Sequence, residues 1–189
     1  ARQGEVRLGD HVIILGSGCI GLVTLLACKA HGATDITVVD IIPKRLEYAK
    51  RLGATRVINS AEVDVLAEMQ KITGGAGTEK VFETAGSSVT IAQTPYLVKN
   101  GGTIILVGLS ANPEVTYNFG KIMAKEAKIV SVFRYRNIYP SAIAAISSGL
   151  IDVSGIVTHE FGFDEIQKAF DYNIQNKNDV VKAVIKMTE

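Results

Sequence analysis

Three glycines and one acid are the residues best placed for chemistry in this chain. Gly16, Gly18 and Gly21 follow the apolar run Val12–Leu15 in "VIILGSGCIG", and Asp40 ends the β-branched run "ITVVD" nineteen residues after the last glycine. A strand that passes through G-x-G-x-x-G into a helix needs each glycine for a different reason. Gly16 allows the tight turn, Gly18 keeps a Cβ out of the way of a pyrophosphate, and Gly21 lets helix and strand pack closely. A helix starting near Cys19 would aim free N–H groups and about half a positive elementary charge at those phosphates. Asp40, at the tip of the next strand, would accept hydrogen bonds from the adenosine ribose hydroxyls and repel a 2′-phosphate, which favours NAD over NADP. Arg45 blurs that preference, since a nearby Arg accommodates the same phosphate; it reads equally as a solvated helix residue. Glycine also marks ordinary turns, so a plain turn or another ligand stays open at this point.

No other chemistry competes strongly. His11, His31 and His159 are scattered without a second ligand at metal spacing, and read as structural or surface histidines. Asp64, Glu68 and Glu83 form no evident acid–base pair, although Glu83 falls in the fourth strand, near the expected cofactor. There is no zinc cage, nucleophile elbow or triad. "YNFGK" at Tyr117 to Lys121 spells Tyr-x-x-x-Lys, but the glycine turn that accompanies that pair, T-G-x-x-x-G-x-G, is missing, so the match is coincidence. A methyltransferase turn reads G-x-G-x-G, whereas Ile20 stands where its third glycine belongs. Cys19 and Cys28 lie in one expected helix and outside any CxxC, which argues against a disulfide and for a cytoplasmic chain.

These residues need a scaffold, and the pattern of the chain supplies one. Short β-branched runs near 12–15, 36–40, 56–58, 80–84, 103–107 and 128–133 alternate with helical segments near 20–31, 44–52, 62–72, 88–98 and 119–124. Pro43 suits a first helical turn and Gly53 a C-terminal cap, while "GATDI" and "GATRV" repeat one helix-to-strand turn. Six such strands predict an α/β chain with a doubly wound parallel sheet, the Rossmann fold, over 1–136. From 137 to 189 the rhythm changes: helices near 140–148 and 164–173 and a last alternating run, "VVKAVIKM", are too few for a core of their own. They are expected to return to a domain outside this sequence. The start, "ARQGEVRLGD", lacks an initiator Met and a leader, and is expected to belong to a fragment. Twenty basic residues against nineteen acidic ones give no electrostatic footprint for nucleic acid or an anionic membrane, and no apolar run approaches the roughly 20 residues that span a bilayer.

Taken together, "GEVRLGDHVIILGSGCIGL", "VVDIIPKRLEYAKRLGAT", "VFETAGS", "GGTIILVGLS" and "VFRYRNIYPSAI" resemble the coenzyme-binding half of the zinc-dependent medium-chain dehydrogenases, and within them the sorbitol and related polyol dehydrogenases. The resemblance spans essentially the whole chain, "VFRYRN" followed by "VTHEF" being most specific to the polyol branch. It implies NAD as cofactor and, in the parent enzyme, a catalytic zinc whose Cys, His and Glu ligands lie in an N-terminal domain absent from this sequence. By the same resemblance Ile20 touches the pyrophosphate region, Asp40 binds the adenosine ribose and Arg45 lies beside that ribose or the adenine. Val107, Gly108 and Leu109 meet the nicotinamide, Val132, Phe133 and Arg134 close its pocket, and Arg134 with Tyr135 faces the polyol. Val107 and Val132 also read as sheet core, and "RYR" as a solvated basic corner. Cys19 and Arg136 depart from the smaller residues common at their positions. The implied parent transfers hydride from a polyol or other secondary alcohol to NAD and is a dimer or tetramer, while this fragment alone binds NAD without turnover. The coenzyme domain of a threonine or other secondary-alcohol dehydrogenase is the neighbouring alternative. A non-catalytic NAD-sensing module is another, but it has no need of the segment after Phe133.

Overall fold

Strands that are apolar at every position, rather than at alternate ones, require a sheet covered on both faces. The computed structural model, which describes residues 1–188, has that sheet. Its strands are β1 (His11–Leu15), β2 (Asp35–Asp40), β3 (Arg56–Asn59), β4 (Thr78–Glu83), β5 (Val98–Leu106) and β6 (Lys128–Ser131), all parallel, in the order β3-β2-β1-β4-β5-β6. The order reverses between β1 and β4, where Leu15 lies beside both Val39 and Glu83. Successive residues of β1 serve opposite faces: Val12 and Ile14 pack with α1 (Cys19–Ala30) and α2 (Pro43–Arg51), Ile13 and Leu15 with α3 (Val65–Thr73), α4 (Ser88–Leu97) and α5 (Phe119–Ala124).

The local signals act where they were expected. Pro43 opens α2. Gly32 and Gly53 adopt φ of 94° and 98° just past α1 and α2. In each case the next residue's N–H reaches back to the helix, Ala33 to Cys28 O and Ala54 to Ala49 O, so one C-terminal motif is used twice. Among the boundaries that differ from expectation, three are instructive. α3 begins at Val65 rather than 62, because the Asp64 side chain caps it by accepting from Ala67 N while Asn59 holds the preceding turn. β5 starts at Val98, straight out of α4, and reaches its main register with β4 only after a shift between Thr78 and Lys80. β6 stops at Ser131, opposite Leu106, where β5 ends; Val132 N–H makes the last ladder bond, to Leu106 O.

The C-terminal segment forms α6 (Tyr139–Ser147), β7 (His159–Gly162), a 3₁₀ turn (Phe163–Glu165), α7 (Ile166–Gln175) and β8 (Ala183–Lys186). β7 and β8 pair in parallel as a separate two-stranded sheet with α7 lying against both. Val184 and Ile185 of β8, like Val181 just before it, are half-buried. Ile156 is buried in the β1/α1 face of the large sheet, with Ile151, Val153 and Val181 against it. No helix among the described residues is long and apolar enough to cross a membrane.

Candidate functional site

The glycine corner sits at the C-terminal end of β1, on the edge where the strand order reverses and where open α/β sheets hold their ligands. Gly16 has φ of 99°, a conformation costly for any residue with a Cβ, and its N–H donates to Val39 O at 2.8 Å. A Cβ on Gly21 would lie 1.9 Å from Gly16 O, so only glycine lets α1 cross this close to the strand end. Gly18 is different: its backbone is extended, with φ of −67°, and a Cβ there would meet nothing within 4 Å. The fold does not demand glycine at 18. The space beside it opens onto the first turn of α1, which no side chain caps, so its N–H groups remain free for an anion.

Asp40 reaches this corner. Its Oδ2 accepts from Ser17 N–H at 2.7 Å and from the Ser17 hydroxyl at 2.9 Å, and its Oδ1 accepts from Ile42 N–H at 2.9 Å. Ser17 is fully buried and Asp40 half-buried. The carboxylate is therefore fixed beside Gly18 by donors from two loops. Ser17 was missed by sequence reasoning; its only signal was a small polar residue between the two glycines. Arg45 is one turn into α2, but the structure does not bring its guanidinium to Asp40: Nη2 donates to Lys177 O at 2.8 Å, and Nε is buried without a partner. Lys44 beside it pairs with Asp179 at 2.9 Å.

Across the rim, the N–H groups of Val107 and Gly108 both donate to Glu83 O, at 2.8 and 3.0 Å. The turn after β4 and the turn after β5 interlock: a Cβ on Gly108 would lie 2.2 Å from Gly86 N, and one on Gly86 would lie 2.4 Å from Leu109 O. Ile20 and Leu109 are exposed, whereas Val107 and Val132 are half-buried against the core. Past β6, Phe133 is exposed with the Arg134 guanidinium 4.4 Å above its ring, and Tyr135 stands edge-on to Tyr139. Tyr117 of "YNFGK" packs into the opposite core and shares a 2.7 Å hydrogen bond with Thr94, while Lys121 lies over the Tyr96 ring.

Residues 19–148, more than half of the chain, match the family model of zinc-binding dehydrogenases. The chain belongs to that family. It is 50% identical, over all of its length and 54% of the relative's, to an uncharacterized zinc-type alcohol dehydrogenase-like protein of Escherichia coli K12. It is 36% identical to a sorbitol dehydrogenase of Bacillus subtilis, covering 98% of this chain and 52% of the relative. An alcohol dehydrogenase of Escherichia coli CFT073, solved in complex with NADH, superposes with a TM-score of 0.90 at 26% identity, covering 97% of this chain and 54% of that one. The chain thus spans about half the length of the curated relatives it matches.

A zinc-binding dehydrogenase needs metal ligands, and the residues here do not fit that need. Among the described residues no group of three or more His, Cys, Asp and Glu side chains could hold a metal ion. His11 opens β1 and donates its backbone N–H to Glu79, His31 ends α1, and His159 lies in β7 with its ring 5.0 Å from that of Tyr172. Cys28 is buried, and burial above all pushes its thiol up to about 12. What these residues do present is an open glycine corner with free N–H groups and an acid fixed beside it.

Proposed function

We propose that this chain is the NAD-binding part of a zinc-dependent alcohol or polyol dehydrogenase, residues 1–136 forming the cofactor domain and 137–189 leading back to the zinc-bearing part. One observation carries it: the Asp40 carboxylate is bound to Ser17 inside a glycine corner that stands open at Gly18. Gly16, Gly18, Ile20 and Gly21 receive the pyrophosphate with the free N–H groups of α1. Asp40 accepts from the adenosine ribose hydroxyls and disfavours a 2′-phosphate. Arg45 reaches the ribose or adenine when it leaves Lys177. Val107, Gly108 and Leu109 hold the nicotinamide from β5, and Val132, Phe133 and Arg134 close over it from β6. NAD, when bound, supplies the hydride acceptor. Arg134 and Tyr135 face a polyol or other secondary alcohol, in keeping with a sorbitol dehydrogenase, an L-idonate 5-dehydrogenase and an L-arabinitol 4-dehydrogenase among the relatives. The whole enzyme is cytoplasmic and a dimer or tetramer.

Titration calorimetry tests this directly. NAD is expected to bind this chain with a one-to-one stoichiometry and more tightly than NADP, while sorbitol and NAD together produce no NADH. Absence of any heat with millimolar NAD on folded protein sinks the assignment. Polyol-dependent NADH formation by this chain would overturn the placement of the zinc chemistry outside it.

A further inference from the structure

We propose that Glu83 is a positioning residue for the nicotinamide end of the cofactor, a role that rests on the NAD-binding assignment above. Glu83 ends β4 at the seam with β1, and it is fully buried. Its two oxygens are used very unequally. Oε1 accepts from Ala85 N–H at 3.0 Å, Gly86 N–H at 2.9 Å and the Thr90 hydroxyl at 2.8 Å, whereas Oε2 has no partner and lies 2.7 Å from where a Cβ of Gly108 would be. An orphaned, fully buried carboxylate oxygen is unfavourable, so a sheet built for stability alone would place an apolar residue here.

The bonds to Oε1 explain what the acid achieves. They draw the turn Ala85–Gly86 down onto the strand end, and that turn is the one whose backbone interlocks with Gly108 and Leu109. The Glu83 main-chain oxygen takes the N–H groups of Val107 and Gly108 as well, so one residue sets the separation of both turns. The adenosine end is held by other groups. Thr84 Oγ1 reaches Leu15 O and Gly16 O, at 2.9 and 3.0 Å, and Ser17 fixes Asp40. Ala85 also backs Gly16, but Thr84 keeps that neighbour tied to the end of β1, so losing the Glu83 carboxylate should chiefly release Gly86 from Gly108 and Leu109, the floor under the nicotinamide.

The test compares NAD with ADP-ribose, which carries the adenosine, the pyrophosphate and the second ribose but no nicotinamide. Calorimetry on the unaltered chain should show NAD binding more tightly than ADP-ribose. Glu83→Leu, which keeps bulk and removes the acceptor, should weaken NAD by about tenfold or more, the scale of a lost hydrogen bond to a charged group, with ADP-ribose changed less than about twofold. Glu83→Gln retains an oxygen for the same donors and should recover most of the NAD affinity. Should Glu83→Leu not fold, Thr90→Val decides: deletion of one donor should weaken NAD and spare ADP-ribose. Equal losses for both nucleotides, no loss for either, or equal affinity of the unaltered chain for the two would each overturn the positioning role. Failure of the unaltered chain to bind either nucleotide removes the NAD assignment, and this role with it.

Discussion

Asp40→Ala should erase the preference for NAD over NADP. In the structure the carboxylate accepts from Ser17 N–H, the Ser17 hydroxyl and Ile42 N–H. Removing it leaves the buried Ser17 N–H without an acceptor, at a stability cost of about 1–3 kcal/mol. Bound NAD loses hydrogen bonds from its ribose hydroxyls to a charged group, each worth about 1.5–3 kcal/mol, so its affinity should fall roughly tenfold to several hundredfold. NADP moves the other way. A unit charge on its 2′-phosphate ~4 Å from the carboxylate is repelled by ~4 kcal/mol at an effective dielectric of ~20, reduced by salt. The ratio of NAD to NADP affinity should therefore collapse by about a hundredfold or more. Calorimetric titration of both nucleotides at one ionic strength reads the ratio, and a thermal melt reads the structural cost. Asp40→Asn supplies the control, because it removes the charge while keeping an acceptor near Ser17 or Ile42. An unchanged ratio in both variants refutes the role of Asp40, whatever happens to stability.

Three further outcomes are expected. Gly18→Ala should melt within about 0.5 kcal/mol of the parent, since its φ of −67° suits alanine and its Cβ meets nothing, yet it should lose NAD by about tenfold or more in calorimetry; a normal affinity would remove the pyrophosphate from this corner. Gly21→Ala should instead destabilise the fold by about 1–3 kcal/mol in urea titration, because the added methyl would lie 1.9 Å from Gly16 O. Cys28 gives a pH dependence: its thiol is raised to about 12 in the fold, chiefly by burial, against roughly 8.5 in an unfolded chain. Its contribution is full below about 8.5, and falls by about 1.4 kcal/mol per pH unit as the unfolded chain sheds a proton that the fold retains. Denaturant titrations between pH 8 and 10 should show that slope in the parent and not in Cys28→Ala; identical slopes count against it.

Much of the scaffold was legible because its signals are local. Strands such as Val12–Leu15 are apolar at every position, and Pro43, Gly32 and Gly53 act within a turn of where they stand. The parallel, doubly wound sheet followed from the alternation of strand and helix, and the glycines with Asp40 fell on one rim of the sheet because parallel strands point their ends the same way. What escaped depends on residues distant in the chain. The fifth strand was expected only near 103, yet Val98 already pairs with Thr78. The bond of Arg45 to Lys177 O joins positions 132 apart. Ser17 and Glu83 carry no pattern that names their partners, which are set by how two turns meet.

The central pairing has a kinetic corollary. Val12 lies beside Lys80 across the middle of the sheet, so closing that seam ties off a long loop, and chains dominated by such distant pairings fold slowly. A nucleotide lying across the rim would touch one half of the polypeptide through Gly18 and Asp40, and the other through Gly108. It can latch only a sheet that has already zipped, and in doing so would slow its unzipping.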